Sequence, residues 1–160
     1  MFQRERRNKM KTYVIMLSRV FPATHPRAGE PTEFKEKLQR IEKLHTIRAN
    51  WPLWASRIND VRNGNAELSV RQWTGKPYRS KQIEIARLGA ADGVGVQMLK
   101  FDKDRDGMVS FRRFNIDGRF PDIETLAEND GLSLEDWKAW FKDYDITQPM
   151  AVIFFTNFRY

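Results

Sequence analysis

Short apolar stretches recur along the chain, separated by Gly, Pro and Asn, as is typical of a protein built from short strands and helices. Residues 66–73 give the clearest signal, because Ala66, Leu68 and Val70 alternate with polar residues. A period of two predicts a half-buried strand. Residues 150–155 are continuously apolar and predict a strand at the centre of a sheet. The remaining predicted strands cover residues 12–18, 44–49, 83–88, 94–101 and 108–114.

Other stretches carry the spacing of amphipathic helices. Phe34, Leu38 and Ile41 lie at i, i+4 and i+7, which places them on one apolar face. Strands that mostly follow one another, with short helices between them, predict an α+β fold. The strand number suits a small mixed or antiparallel β-barrel with flanking short helices. The predicted helices cover residues 33–42, 52–62, 122–128 and 133–144.

The composition is that of a single domain. A chain of 160 residues with 11 Phe and 5 Trp can form a substantial core. We expect residues 1–10 to form a basic tail and residues 11–160 to form one domain. No apolar run reaches ~18 residues, so no membrane-spanning segment is predicted. Because Cys is absent, disulfides and thiolate metal sites are excluded, and a cytoplasmic location is expected.

Charge is unevenly distributed along the chain. The formal net charge is +7, yet residues 1–100 hold 20 Lys and Arg against 9 Asp and Glu, whereas residues 101–160 hold 8 against 12. An anionic partner on one side of the domain fits this asymmetry. Charge alone favours a simpler interpretation, a solvated surface whose two halves partly neutralise each other.

One acidic segment resembles the first half of an EF-hand calcium loop. Loop positions one, three, five and six match in Asp102, Asp104, Asp106 and Gly107. Position twelve, where a glutamate should supply two oxygens, is Arg113. A cation there removes ligands and adds repulsion, so the segment is predicted to be a polar hairpin turn.

The loop that follows residue 73 interleaves cations with an aromatic residue. Cations neutralise phosphates, and an exposed ring can stack on a base. A nucleic-acid contact and an ordinary solvated hairpin loop are equally good interpretations of this pattern. The residues concerned are Lys76, Tyr78, Arg79 and Lys81.

The densest group of reactive side chains runs from Lys43 to Arg48. Alternate residues of a strand share a face, so Thr46 and Arg48 should point one way and His45 the other. His45 is therefore predicted to be a packed or surface histidine and not a catalyst. Lys43 lies at the start of the strand and can reach back toward Thr46.

Lys43, Thr46 and a remote acid could form a hydrolytic set. A buried Lys of lowered pKa can take the proton of a Thr hydroxyl, and a carboxylate can pass it to the leaving group. Asp130 is the candidate acid, because it lies beside Gly131 just before a predicted helix. A helix cap or a turn is the simpler role for Asp130, and chemistry alone favours that role.

Three features together resemble the ASCH domains of the PUA-like superfamily. They are the predicted helix over 33–42, the motif from Lys43 to Arg48, and the later Asn129-Asp130-Gly131-Leu132-Ser133. The apolar last strand agrees with this resemblance, which covers residues 34–88 and 122–158. It implies a small β-barrel with flanking helices and a cleft. PUA-like domains commonly bind RNA or modified nucleosides.

Some small bacterial ASCH proteins are amidohydrolases that remove the acyl group of N-acylated cytidine. The resemblance implies that Lys43 would activate Thr46, with Asp130 as the acid. Two positions depart from the family pattern: Glu42 stands where Gly usually precedes the Lys, and Asp130 is one methylene shorter than the usual Glu. Residues 89–120 go beyond the smallest family members and could cover or reshape the cleft.

The leading hypothesis is a domain that binds RNA or a modified nucleoside in a basic cleft. Hydrolysis of an acylated cytidine is the first alternative, and a non-catalytic protein-interaction domain is the second. No metal or other cofactor is implied, and the oligomeric state stays open. The expected catalytic residues are Lys43, Thr46 and Asp130, and the expected nucleic-acid or nucleoside contacts are Arg48, Arg71, Lys76, Tyr78, Arg79 and Lys81.

Overall fold

A computed structural model describes residues 10–160, so all but the last residue of the predicted basic tail lies outside it. The described chain forms seven strands, four α-helices and a short 3-10 turn at Ala90–Asp92. The strands are β1 (Lys11–Met16), β2 (His45–Arg48), β3 (Ala66–Trp73), β4 (Gln82–Leu88), β5 (Gly95–Lys103), β6 (Val109–Ile116) and β7 (Met150–Phe154). The helices are α1 (Phe34–Gln39), α2 (Trp51–Arg62), α3 (Ile123–Asn129) and α4 (Leu134–Phe141).

The strands form two sheets. The first has the order β1-β3-β4, with β1 parallel and β4 antiparallel to β3. The second has the order β2-β7-β5-β6 and is antiparallel throughout. All five residues of β7 are buried, and its central place agrees with its continuous apolar pattern.

The α+β class predicted from the sequence is confirmed, as are all seven predicted strands. Within residues 10–160 the two sheets remain separate and no closed barrel is found. The PUA-like barrel therefore stays a prediction. The parallel pairing of β1 with β3 was not expected from the mostly sequential arrangement of the strands.

Helix α2 joins the two sheets through one core. It packs on β3 of the first sheet and on β5 and β7 of the second, with Ile58 and Val61 fully buried. Asn50 caps it, because its side chain accepts a 3.3 Å hydrogen bond from the Leu53 amide. At 12 residues α2 is the longest helix described, and no helix within residues 10–160 is long and apolar enough to cross a membrane.

Helix α1 is shorter than its sequence pattern suggests. The predicted helix runs to residue 42, whereas α1 ends at Gln39 and Ile41 turns with φ of 58°. Ile41 is consequently 66% exposed and does not share the apolar face of Phe34. A β-branched residue in left-handed backbone is uncommon. This turn redirects the chain toward β2 and sets the position of Lys43.

The acidic segment forms the predicted hairpin turn between β5 and β6. The Asp104 amide donates to the Met108 carbonyl at 2.9 Å. The Asp104 carboxylate accepts from the Asp106 and Met108 amides, each also at 2.9 Å. Gly107 adopts φ of +77°, a conformation that favours glycine. The Asp104 carboxylate is thus engaged in closing the turn.

We predict that Ile58→Ala lowers the free energy of unfolding by about 2–5 kcal/mol, because it leaves a cavity where α2 meets both sheets. Leu53→Ala on the same helix is the matched control, since Leu53 is 39% exposed. We expect its effect to stay within about 0.5 kcal/mol. Urea denaturation followed by circular dichroism measures both, and equal losses would contradict the proposed core.

Candidate functional site

Lys43 is the residue on which the candidate site is built. Its amide donates to the Lys37 carbonyl at 3.1 Å, and the next amide, that of Leu44, donates to the Asn129 carbonyl at 2.8 Å. These bonds hold the segment before β2 between the end of α1 and the end of α3. The Lys43 side chain is only 2% exposed. A lysine this deeply buried requires partners for its ammonium group.

Asp130 supplies those partners. Lys43 Nζ donates to the Asp130 main-chain oxygen at 2.6 Å and lies 3.2 Å from its Oδ1. Because Asp130 terminates α3, the ammonium also meets the negative end of that helix. Gly131 has φ of +84°, and a Cβ there would lie 3.3 Å from Lys43 Cβ. The neighbouring glycine thus leaves space for the lysine stem.

Lys43 and Asp130 line a small cavity between the two sheets. Thr46, only 4% exposed, lines the same cavity. Its volume of about 20 Å³ leaves room for about one water molecule. The sequence therefore predicted a set of three residues that the fold brings to one enclosed space. The remaining lining residues are Leu17, Ser18, Phe34, Ile47, Arg48, Leu132, Trp140 and Phe141.

Arg48 borders the cavity and ties the sheets together. Its Nη1 donates to Thr46 Oγ1 at 3.1 Å, which agrees with the prediction that these two side chains share a face. Its Nη2 donates to the Met16 carbonyl at the end of β1. Arg48 therefore fixes the Thr46 oxygen and links the second sheet to the first. Within residues 10–160, no hydrogen bond joins Thr46 to Lys43 or to Asp130.

Burial governs the electrostatics of the pair. It lowers the pKa of the Lys43 ammonium to about 8, although the Asp130 carboxylate opposes this shift. For Asp130, burial by itself raises the pKa of the carboxyl. The charge of Lys43 and the contact with His45 nevertheless outweigh burial and lower the pKa of its carboxyl. At neutral pH the cavity thus holds an ammonium–carboxylate pair whose cation can lose its proton in mildly alkaline solution.

His45 belongs to this network, although the sequence pattern predicted only packing for it. It is completely buried, as a packed histidine should be. Its Nδ1 lies 3.3 Å from Asp130 Oδ1, without the alignment of a hydrogen bond. Its Nε2 lies 2.6 Å from the hydroxyl oxygen of Tyr160. Strand alternation does separate His45 from Thr46, but Asp130 lies where Lys43 and His45 can both reach it.

Tyr160 is the participant that no sequence signal identified. The Tyr160 amide donates to Gln97 Oε1 at 2.9 Å, and Gln97 Nε2 donates to the Tyr160 carbonyl at 3.3 Å. Its hydroxyl oxygen also accepts from Asn129 Nδ2 at 3.1 Å. Burial raises the pKa of the Tyr160 phenol. Only the fold brings this residue to β2, which lies 115 positions earlier.

The other predicted nucleic-acid contacts lie outside the cavity. Arg71 is half-buried on β3, where its Nε donates to Ser69 Oγ at 2.9 Å and its Nη1 to Gln82 Oε1 at 3.2 Å. Tyr78 is 89% exposed, and its ring lies 5.2 Å from that of Trp73. Of the nine predicted site residues, four line the cavity. The exposed loop between β3 and β4 carries Lys76, Tyr78, Arg79 and Lys81.

A second, larger concavity shares Phe34 with the cavity as a lining residue. We call it the outer groove. It has a volume of about 460 Å³, which is within the range of small-ligand sites. Phe34 lines both concavities, and its ring lies 4.2 Å from Lys43 Nζ. The outer groove is also lined by Arg19, Pro31, Glu33, Lys35, Glu36, Gln72, Trp73, Thr74 and Ile83.

Comparison with known proteins adds no further identification. No protein-family model, curated protein or solved structure matches this chain significantly. The resemblance to ASCH domains therefore rests on the short sequence motifs.

The lowered pKa of Lys43 predicts a distinct pH dependence of stability. In the unfolded chain a lysine has its ordinary pKa of 10.5, whereas folded Lys43 titrates near 8. Between these values the unfolded state binds more protons, so the contribution of Lys43 to stability rises with pH. The difference in unfolding free energy between wild type and Lys43→Met should therefore increase from pH 8 to pH 10. Urea titrations measure it, and a pH-independent difference would contradict the assigned pKa.

Proposed function

We propose that this chain is a PUA-like, ASCH-type domain that binds a modified nucleoside, free or within RNA, and acts in the cytoplasm. One observation carries the proposal. Lys43, Thr46, Arg48 and Asp130 converge on one buried cavity. Buried charges with perturbed pKa values in a concavity are candidates for function, because they are costly to keep in a purely structural core.

The size of the cavity limits what part of a ligand can enter. A nucleoside is far larger than the space of about 20 Å³. Only a small polar substituent of the ligand would enter the cavity as it stands, with the rest remaining outside. Phe34 and Trp140, whose rings lie 5.7 Å apart, form part of the cavity wall. Displacement of these two rings would admit a larger part of the ligand.

The outer groove is the natural place for the rest of the ligand. It shares the Phe34 wall with the cavity, and Trp73 offers an aromatic surface for a base. Gln72 is 4% exposed and lines the groove. Its side-chain amide makes no hydrogen bond with the described residues and is available for the edge of a base. The formal charges of the lining residues Arg19, Glu33, Lys35 and Glu36 sum to zero, which suits a neutral ring.

Phosphates of an RNA would contact the neighbouring loop. Trp73 and Thr74 line the groove and lead directly into that loop. Lys76, Arg79 and Lys81 are exposed there, where cations can neutralise a backbone. The proposed binding surface thus has three parts: an inner polar site, a base groove whose residues the sequence did not predict, and a phosphate-contacting loop.

Hydrolysis of an acylated nucleoside is a second candidate, favoured by the Lys43 pKa of about 8. Neutral Lys43 would take the Thr46 proton as the hydroxyl oxygen attacks the acyl carbon. The carbon–nitrogen bond would then break, and the amine would leave with a proton relayed through Asp130. Water would release the acyl group from Thr46. Arg48, which donates to the Thr46 oxygen, would stabilise the negative charge on that oxygen as its proton leaves.

We predict that the wild type binds cytidine, an N-acylated cytidine or a short single-stranded RNA. Lys43→Ala should weaken binding at least about tenfold, which is about 1.4 kcal/mol. Lys138→Ala is the matched control, because Lys138 is exposed on α4 and lies outside both concavities. Calorimetry or filter binding at low salt measures affinity, and circular dichroism verifies that each variant is folded. The absence of binding to every probe would rule out this function.

For the hydrolase candidate, we predict that Thr46→Ala abolishes release of the acyl group from N-acylated cytidine while Thr46→Ser retains part of it. Turnover should rise as pH increases through about 8, because Lys43 acts as a base only after it loses its proton. Chromatography of the free cytidine product measures the rate. Undiminished turnover in Thr46→Ala would remove Thr46 as the nucleophile.

A further inference from the structure

The buried contacts of His45 and Tyr160 determine which atom donates and which accepts in each hydrogen bond. An Asn side chain donates only through its nitrogen, so the 3.1 Å contact from Asn129 Nδ2 makes the Tyr160 oxygen an acceptor. The phenol has one proton of its own. His45 Nε2, at 2.6 Å from that oxygen, is the acceptor within reach of it. If the phenol donates there, Nε2 carries no proton.

In a neutral imidazole the proton must then lie on Nδ1. That nitrogen faces Asp130 Oδ1 at 3.3 Å. An N–H there attracts the carboxylate even without full hydrogen-bond alignment. The contacts then run in one direction, from Asn129 to Tyr160, from Tyr160 to His45, and from His45 to Asp130.

The opposite tautomer is unfavourable at both ends of the ring. A proton on Nε2 would be donated to the Tyr160 oxygen, which would leave the phenol proton without its 2.6 Å acceptor. The bare lone pair of Nδ1 would face a carboxylate oxygen at 3.3 Å. Both positions are buried, where unpaired polar groups and repulsion between acceptors are costly.

We propose that His45, oriented by Tyr160, is a positioning residue that directs an Nδ1 proton at Asp130 and keeps this carboxylate charged and facing Lys43. The His45 tautomer and the direction of its Nδ1 proton follow from the contacts of the ring. Their relevance to ligand binding rests on the proposed function. Lys43, just before β2, and His45, on β2, face the Asp130 carboxylate. Tyr160, at the end of the described chain, contacts His45 and so acts on the carboxylate through that ring.

The chain contains its own control. The sequence has two histidines, and His25 is also buried, at 4% exposure. The Arg27 amide donates to His25 Nδ1 at 3.0 Å, so this nitrogen carries no proton. His25 Nε2 lies 3.0 Å from the Asp136 carbonyl oxygen and must donate to it. The two histidines of one molecule should therefore have opposite tautomers.

Long-range ¹H–¹⁵N correlation spectra of the full chain at neutral pH test this assignment. Wild type should show a protonated Nδ1 in His45 and a protonated Nε2 in His25. In Tyr160→Phe, which keeps the ring and removes the hydroxyl, the His45 pattern should become mixed while that of His25 stays unchanged. A protonated Nε2 in wild-type His45 would overturn the proposal. The wild-type spectrum decides this even if the variant folds poorly.

The positioning role has a separate readout in the titration of Asp130, followed through its carboxyl ¹³C resonance. Tyr160→Phe and His45→Gln should each raise the pKa of Asp130 toward its ordinary value. Unchanged titration in both folded variants would refute the role. If the tautomer and titration agree but no nucleoside or RNA binds, the proposed function fails and this inference stands. If ligands bind but Asp130 titrates identically in all variants, the inference alone fails.

Discussion

The Lys43–Asp130 ion pair is buried, so the residues around it must supply the hydrogen bonds and contacts that stabilise it. An ammonium and a carboxylate, each at most 5% exposed as side chains, lie 3.2 Å apart between two sheets. Removing such charges from water costs several kcal/mol each, and their attraction balances this only when further hydrogen bonds complete the arrangement. Here the end of α3 receives Lys43, and the ring of His45 faces Asp130. The left-handed turn at Ile41 and the glycine after Asp130 fit the backbone around the pair.

The same pair organises the surrounding elements. Leu44 bonds to Asn129 and accepts a hydrogen bond from the Phe155 amide, so β2 is attached both to α3 and to the segment after β7. Arg48 then reaches the end of β1 across the gap between the sheets. The polar centre therefore lies where several chain segments meet. Changes at the pair should consequently affect both stability and any ligand chemistry, so each variant has to be tested for folding as well as for binding.

Much of the fold could be predicted from the sequence, because local patterns carry it. Alternation located β3, and a continuous apolar run located central β7. The helix predicted over 133–144 begins in the structure where the Ser133 side chain caps α4. Apart from the β5–β6 hairpin, the pairing of the strands could not be predicted. The parallel contact of β1 with β3 and the insertion of β7 between β2 and β5 depend on tertiary packing, which leaves no short-range signal. The end of α1 was placed too late for the same reason, because Ile41 fits the helical pattern but turns away.

The candidate site was partly predictable. Lys43, Thr46 and Arg48 lie within six residues, and strand alternation placed Thr46 and Arg48 together. Asp130 was chosen for its position in a motif, and the structure brings it to Lys43. The loop of Lys76 to Lys81, by contrast, lies outside the cavity. Its position in the sequence after β3 does not determine where the loop lies relative to the cavity. Tyr160 was missed because a single tyrosine carries no pattern.

We propose that the Lys43–Asp130 cavity receives part of a nucleoside ligand. The most direct test follows the Lys43 ¹⁵Nζ and Asp130 carboxyl ¹³C resonances while cytidine, an N-acylated cytidine or a short RNA is added. A ligand bound in the cavity should shift both resonances together with those of Phe34 and Trp73. Binding that shifts only the loop residues from Lys76 to Lys81, and leaves Lys43 and Asp130 unchanged, would contradict it.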